Sequence, residues 1–110
     1  MGVTKTEIFT EEQNRISVLA KALGHPARVA ILQHLFNTNS CVCGELVDII
    51  GLAQPTISQH LKELKNLGLI KGNTSGTSIC YCIDQERWGA MKTTLTAFLD
   101  QDSSTDTTCC

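Results

Sequence analysis

The chain lacks an apolar run long enough to span a bilayer, and it lacks a recognisable signal peptide. From these absences we expect a cytoplasmic protein that makes no contact with a membrane. Charged residues make up 18% and hydrophobic residues 42% of the 110 positions, a balance typical of a globular chain. This length suits one domain with a modest core, and no internal repeat indicates a second one.

Enzymatic signatures are missing as well. The sequence contains no CxxC motif, no cofactor-binding loop and no grouping of Ser, His and Asp. A thiol oxidoreductase that uses Cys41 and Cys43 therefore has no support beyond the two thiols themselves. We predict a protein that is not an enzyme.

A strong excess of positive charge is the third absence, since the net charge is −2. This value argues mildly against nucleic-acid binding, but it hides an uneven distribution. The segment 54–83 carries three lysines and one glutamate, whereas 84–110 carries five acidic and two basic residues. The small positive excess in the first segment predicts a modest electrostatic affinity for DNA from one subunit.

The rest of the sequence is organised around residues 51–68, GLAQPTISQHLKELKNLG, which read as a turn followed by a helix. An apolar stripe recurs at the helical spacing and consists of Ile57, Leu61 and Leu64. Pro55 suits the first helical position, and Gly68 suits the position after the last. The opposite face carries hydroxyl, amide and ammonium groups, which can meet base edges and phosphates. An ordinary solvated face is the alternative interpretation.

The preceding segments predict three more helices, over 10–23, 26–36 and 41–50. Thr10 and Gln13 fit a capping box at the start of the first. The second is apolar on most sides, and its expected apolar face consists of Val29, Leu32 and Phe36, with Ile31 and Leu35 nearby. The third is joined to the following helix by a short turn containing glycine, so the pair is predicted to form a helix-turn-helix.

The pattern then changes to that of a β-hairpin, with strands over 69–72 and 77–83 and turn residues at 73–76. A last helix is predicted over 85–100. The predicted fold class is therefore mainly α-helical with a small β-hairpin. We interpret residues 10–100 as one winged helix-turn-helix domain.

Both ends of the chain are expected to lie outside this domain. Residues 1–9 are predicted to form a flexible arm, and residues 101–110 a disordered tail that ends in two cysteines. The first and last helices of the domain each carry an apolar stripe, which is more than so small a fold can cover. We therefore predict a homodimer that buries the surplus, with packing inside one subunit as the alternative.

The six cysteines form three close pairs, which are Cys41 and Cys43, Cys80 and Cys82, and Cys109 and Cys110. Without a signal peptide, a framework of structural disulfides is not expected. Close pairs of thiols in a reducing compartment indicate ligands for a soft metal or metalloid, or a redox switch. The alternative is that some are small buried hydrophobic residues.

Three passages of the chain are ALGHPARVAILQHL, SCVCGELV and PTISQHLKELKNLGLI. Together with the predicted wing and flanking helices, they resemble the ArsR/SmtB family of bacterial winged-helix repressors, over roughly residues 10–100. The resemblance implies a homodimer that binds a palindromic operator in double-stranded DNA and represses genes for metal or metalloid resistance. It also implies release of the DNA when an inducer binds.

Carried over from the family, the positions that contact DNA fall on Gln54, Thr56, Ser58, Gln59, His60 and Lys62. Gln59 suits base reading, because its amide can pair bidentately with adenine. His60 lies nearer the apolar stripe, where it either bonds a phosphate or is structural. Contacts to the DNA backbone are expected from Lys62, Lys65 and Lys71, and in the wing from Asn73, Ser75 and Thr77.

Cys41 and Cys43 resemble the family's arsenic-responsive and cadmium- or lead-responsive sites. The resemblance implies As(III), Sb(III) or a soft divalent metal as the inducer, with no obligatory cofactor. Residues i and i+2 of a regular helix point about 200° apart, so capture of one ion by both thiolates requires local unwinding. We expect that distortion to shift the turn at Gly51 and misplace the recognition helix.

The sequence departs from the family's arsenic site at Leu46, which stands where a third cysteine is found. A three-thiolate site therefore needs another donor, for which Cys109 and Cys110 are candidates. The cysteines in the wing are less suitable, because the wing is expected to lie away from the third helix. The family's zinc site on the last helix requires histidine, and residues 85–102 contain none. A DNA-binding regulator switched by thiol oxidation and a winged helix that binds proteins remain alternatives.

Overall fold

The computed structural model of the chain describes residues 8–38, 45–75 and 78–102, with the side chains of Thr74, Ser75 and Ser78 excepted. In chain order its elements are α1 (Glu11–Ala22), α2 (Pro26–Phe36), α3 (Leu46–Ile50), α4 (Gln54–Asn66), β1 (Ile70–Ser75), β2 (Ser78–Ile83) and α5 (Gln85–Leu99). The predicted class, mainly helical with one hairpin, is confirmed. Across the described ranges, every helix is too short or too polar to cross a membrane.

Helix α1 begins with the predicted capping box. The Thr10 hydroxyl accepts a hydrogen bond from the Gln13 amide at 3.0 Å, and the Gln13 side chain accepts one from the Thr10 amide at 3.0 Å. Two backbone N–H groups that would lack helical partners are thereby satisfied, which fixes where the helix starts. The predicted arm before it falls mainly on residues 1–7, which lie outside the described residues.

Helix α2 is central, but its buried face differs from the expected one. Its core residues are Ala27, Ile31, Leu32 and Leu35. Val29 and Phe36, which were expected on the apolar face with Leu32, are exposed. A segment that is apolar on most sides gives no periodic signal that selects one face. Phe36 instead makes an edge contact with Trp88 on α5, with 4.7 Å between ring centroids.

Helices α3 and α4 form the predicted helix-turn-helix. Gly51 joins them with a φ of 84°, a left-handed conformation that glycine adopts without steric cost. Helix α4 begins at Gln54, one residue before the predicted start, and packs the stripe of Ile57, Leu61 and Leu64 into the core. Helix α3 begins at Leu46 and not at residue 41 as predicted, since Glu45 lies in a turn before it. Residues 39–44 lie outside the described residues.

Gly68 ends the turn after α4 with a φ of 81°. A Cβ atom at this position would lie 2.8 Å from Nη1 of Arg87, so the arginine side chain crosses directly over the glycine. The prediction of a left-handed residue after α4 is confirmed.

The wing is an antiparallel hairpin in which Ile70 pairs with Ile83 and Ser75 pairs with Ser78. The predicted turn at 73–76 was wrong in its first three residues, because 73–75 continue β1. Cross-strand pairing outweighs the turn preference of these small polar residues. On β2, Ile83 is buried whereas Ile79 is exposed.

Helix α5 starts at Gln85, where the Asp84 carboxylate accepts a hydrogen bond from the Arg87 amide at 3.1 Å. Met91 is buried, and Trp88 and Leu95 pack against the core. Helix α5 also contacts α1. The last turn of α5 is exposed and apolar, so the predicted surplus of apolar surface on this helix is present.

Candidate nucleic-acid interface

Helix α4 presents a polar face to solvent opposite its buried stripe. The residues on this face that were predicted to contact DNA and are exposed are Gln54, Thr56, Ser58, Gln59, Lys62 and Lys65. Gln54 donates its amide N–H to the Ser58 hydroxyl at 3.0 Å, which orders the first turn of the face. The face therefore combines hydroxyl, amide and ammonium groups on one rigid element.

His60 is placed differently from the other predicted contacts. Its exposed fraction is 8%, and its Nδ1 accepts a hydrogen bond from Nε of Arg28 at 3.2 Å. Its ring also lies against that of His25, with 4.4 Å between centroids. Burial, together with the neighbouring His25 and Arg28, lowers the pKa of His60 from its ordinary value of 6.5. We therefore conclude that His60 holds α4 in position and does not belong to its exposed face.

Arg28 connects three elements through one guanidinium group. Besides its bond to His60, it forms an ion pair with Glu63 on α4. Its Nη1 donates to the carbonyl of Lys21, at the end of α1, at 3.3 Å. The Arg28 side chain is 14% exposed, so its bond to His60 is partly shielded from water. Arg28 thus holds α4 against α1 and α2.

Glu63 lies beside the polar face of α4 and also bonds to it. Its Oε1 accepts a hydrogen bond from the Gln59 amide nitrogen at 3.2 Å. Sequence reasoning did not find this contact or the ion pair with Arg28. The spacing of four residues between Gln59 and Glu63 on one helix was a usable signal. The pairing of Arg28 with Glu63 leaves no signal in the sequence, because the two residues lie far apart in the chain.

The predicted phosphate contacts on the wing are only partly visible. Lys71 on β1 is exposed. Thr77 and the side chain of Ser75 lie outside the described residues. The ion pair with Arg28 offsets the negative charge of Glu63, so the lysines set the sign of the potential on this side of the domain.

The predicted metal site cannot be placed from the described residues, since Cys41, Cys43, Cys109 and Cys110 all lie outside them. Leu46, at the position of the family's third cysteine, is buried in the core. In the described part of the chain, no three His, Cys, Asp or Glu side chains converge in a way that could hold a metal ion.

The wing cysteines differ from each other in oxidation state. Cys80 takes part in a disulfide bond, whereas Cys82 carries a thiol.

Comparison with known proteins gives matches over most of this domain. A model of the bacterial regulatory protein arsR family matches residues 25–71. The transcriptional repressor SmtB of Mycobacterium tuberculosis is 44% identical over 63 residues, which cover 57% of this chain and 46% of the relative. The chain thus spans less than half of that relative's length. A helix-turn-helix transcriptional regulator of Methanocaldococcus jannaschii is 38% identical over 78 residues, covering 70% of this chain and 86% of the relative.

Solved structures agree with the winged-helix prediction. The transcriptional repressor BigR of Xylella fastidiosa is 25% identical and superimposes with a TM-score of 0.61, covering 93% of this chain and all of the other. These relatives are named as transcriptional regulators or repressors and not as enzymes.

Proposed function

Because the chain belongs to the ArsR family of bacterial regulatory proteins, we propose that it is a transcriptional repressor that binds operator DNA as a homodimer. The observation that carries the proposal is the division of α4 into two faces. Ile57 and Leu64 anchor one face in the core, while Thr56, Ser58 and Gln59 are exposed on the other. A recognition helix requires both, because the buried face fixes the orientation in which the exposed face meets the major groove.

Roles for the individual residues follow from their chemistry. Gln59 is the candidate for a base contact, because an amide can match the edge of adenine. Thr56 and Ser58 suit contacts to either a base or a phosphate. Lys62, Lys65 and Lys71 suit phosphates, which set the register but carry no sequence information. Ser75 and Thr77, in the wing, remain proposed contacts to the DNA backbone.

A homodimer is supported by apolar surface on α1 and α5. Val18, Phe98 and Leu99 are exposed there, and Leu99 is 75% exposed. A pocket of about 520 Å³, with Leu19 and Met91 in its lining, opens between the same two helices. A second copy of the chain would cover this surface. It would also present two α4 helices to half-sites about 34 Å apart on the DNA.

We propose that the inducer is a soft metalloid or metal ion bound by Cys41 and Cys43. Thiolates suit As(III), Sb(III), cadmium and lead, so the donor chemistry of this pair fits the group. The buried Leu46 supplies no third thiolate, and Cys109 and Cys110 are the proposed additional donors. When bound, the ion would supply bonds strong enough to deform the segment that precedes α3, and through α3 to displace Gly51 and α4.

The disulfide at Cys80 favours a second candidate, a repressor switched by oxidation. Formation of such a bond removes two electrons and two protons from two thiols, and a peroxide that accepts them is reduced to water or an alcohol. Cys80 lies on β2, which contacts α2.

The experiment that tests both candidates begins with selection of bound duplexes from random or genomic DNA by the reduced protein. Fluorescence anisotropy then measures affinity for the selected duplex while arsenite, antimonite, cadmium, lead, zinc or peroxide is added. The metalloid proposal expects release by a soft ion in the wild type and not in Cys43→Ser. The redox candidate expects release by peroxide in the wild type and not in Cys80→Ser.

Each outcome has a definite meaning. Selection of no duplex at any salt concentration would refute the repressor proposal. Equal inducer response in the wild type and in Cys43→Ser would refute the proposed sensor. The Cys82→Ser variant serves as the matched control for Cys80→Ser, because it removes a neighbouring thiol that is not in a disulfide.

A further inference from the structure

The Gln59 amide that faces the proposed DNA groove does not rotate freely. Its nitrogen donates to Oε1 of Glu63 at 3.2 Å. An ionised carboxylate only accepts hydrogen bonds, so the nitrogen end of the amide must face Glu63 and the oxygen end must face away. A rotation that exchanges the two ends would set the amide oxygen against the carboxylate oxygen.

Glu63 in turn is held in position by Arg28. Arg28 forms an ion pair with it, and the two side chains are 14% and 39% exposed, respectively. The same guanidinium group donates to His60 and to the Lys21 carbonyl, so its own position is fixed by two further hydrogen bonds. The carboxylate therefore has a defined position, and the ion pair offsets the repulsion that a carboxylate beside DNA would otherwise exert on phosphates.

The consequence for base recognition follows from the edges of the base pairs. In the major groove, adenine and cytosine offer an exocyclic amine, whereas guanine and thymine offer carbonyl oxygens at the corresponding positions. An amide oxygen directed outward accepts from an amine and is repelled by a carbonyl oxygen. Adenine matches best, because the second N–H of the amide can still reach its N7.

We propose that Glu63, held by Arg28, determines the specificity of α4 by fixing the orientation of the Gln59 amide. The base read by Gln59 then carries an exocyclic amine, with adenine preferred, then cytosine, and with guanine and thymine rejected. Glu63 itself touches no base, so its role is that of a positioning residue. This inference rests on the proposed function of α4 as a recognition helix.

The test compares base preference in the wild type and in position-specific variants by selection from randomised duplexes. The base position read by Gln59 is the one at which Gln59→Ala loses its preference. At that position we expect the wild type to prefer adenine over guanine by about tenfold or more, the range of a good side-chain contact. In Glu63→Gln the neighbouring amide can donate as well as accept, so the preference should fall to about threefold or less.

Two further variants separate orientation from charge and folding. Glu63→Asp keeps the negative charge but withdraws the carboxylate from Gln59, so it should also lose the preference. Lys62→Met should lower the affinity for all sequences and leave the preference unchanged, because a phosphate contact carries no base information. Circular dichroism melting of each variant verifies that the domain is folded at the temperature of the selection.

The outcomes distinguish this inference from the function on which it rests. A wild type that selects a defined sequence, with the same adenine preference in Glu63→Gln, would refute the inference and leave the repressor proposal intact. Guanine or thymine at the position read by Gln59 would do the same. A wild type that selects no sequence would refute both.

Discussion

Nε of Arg28 donates a hydrogen bond to Nδ1 of His60 across 3.2 Å, so this nitrogen of the histidine must be unprotonated in the folded chain. The bond joins α2 to the buried side of α4. Protonation of His60 would place a second positive charge against Arg28 and beside His25, whose ring centroid is 4.4 Å away. The packing of the proposed recognition helix is thus sensitive to one proton.

We therefore predict that acid weakens the domain through His60. Burial, His25 and Arg28 lower the pKa of this group from 6.5, so the folded state favours the neutral form. The contribution of His60 to stability is fully present at pH values above its pKa in the unfolded chain. It is lost as the pH falls through its lower pKa in the folded chain. The free energy of urea unfolding, measured at about pH 7.5 and about pH 5.5, should fall more for the wild type than for His60→Gln.

The glutamine variant is a suitable control because its amide oxygen can still accept from Arg28 but does not titrate. The other charged group that Arg28 contacts, Glu63, is present in both proteins and cancels in the comparison. Parallel loss of stability in the two proteins over this range would contradict the assignment.

The stripe of α4 makes a second prediction, on stability. Leu64 has an exposed fraction of 0% and lies in the core cluster. Leu64→Ala should lower the free energy of unfolding by about 2–5 kcal/mol, the cost of lost burial plus a cavity. Ile79→Ala on the wing is the matched control, because that side chain is 47% exposed and should cost about 0.5 kcal/mol or less. Equal losses in urea titrations would show that the stripe is not the anchor of α4.

Much of this stripe was predictable because its signal is local. The helix signals of α4, the capping box of Thr10 and Gln13 and the left-handed Gly68 each depend on residues close together in the sequence, and all three are confirmed. The face of α2 was predicted less well, because apolar residues on most sides of a helix leave the choice of face to its neighbours.

The contacts that position α4 could not be predicted from the sequence, for a different reason. Arg28 meets His60 and Glu63 across more than thirty positions in the chain, and no spacing rule connects them. His60 occupies one of the positions that contact DNA in the family, yet its buried location depends on where α2 packs. The strand that contains 73–75 was read as a turn, because cross-strand pairing has no signature within a few small polar residues.

The third prediction concerns assembly. Leu99, at the end of α5, is highly exposed and apolar. Leu99→Glu should place a charge in the proposed dimer interface and raise the dimer dissociation constant by about tenfold or more, as expected of a buried unpaired charge. Analytical ultracentrifugation over a concentration series measures this change. Ile49→Glu, at an exposed position on α3, is the control that should leave the dimer intact.

The fourth prediction uses the salt dependence of DNA binding. If Lys62 contacts a phosphate, Lys62→Met should weaken binding to all sequences and reduce the slope of log K against log salt concentration by about 1. Lys92→Met, on α5 and outside the set of residues proposed to contact DNA, should leave the slope unchanged. An identical slope in both variants would remove Lys62 from the proposed interface. Anisotropy titrations at four or more salt concentrations provide the measurement.

The bond from Arg28 to the Lys21 carbonyl has a consequence for how signals travel through such a repressor. The last turn of α1, which belongs to the surface proposed to join two subunits, and the helix proposed to read DNA share one guanidinium group. A rotation of one subunit relative to the other would therefore move the α4 helix of each subunit, because Arg28 connects α4 to α1. An effector that changes the angle between the two subunits would then be sufficient to lower the affinity for DNA.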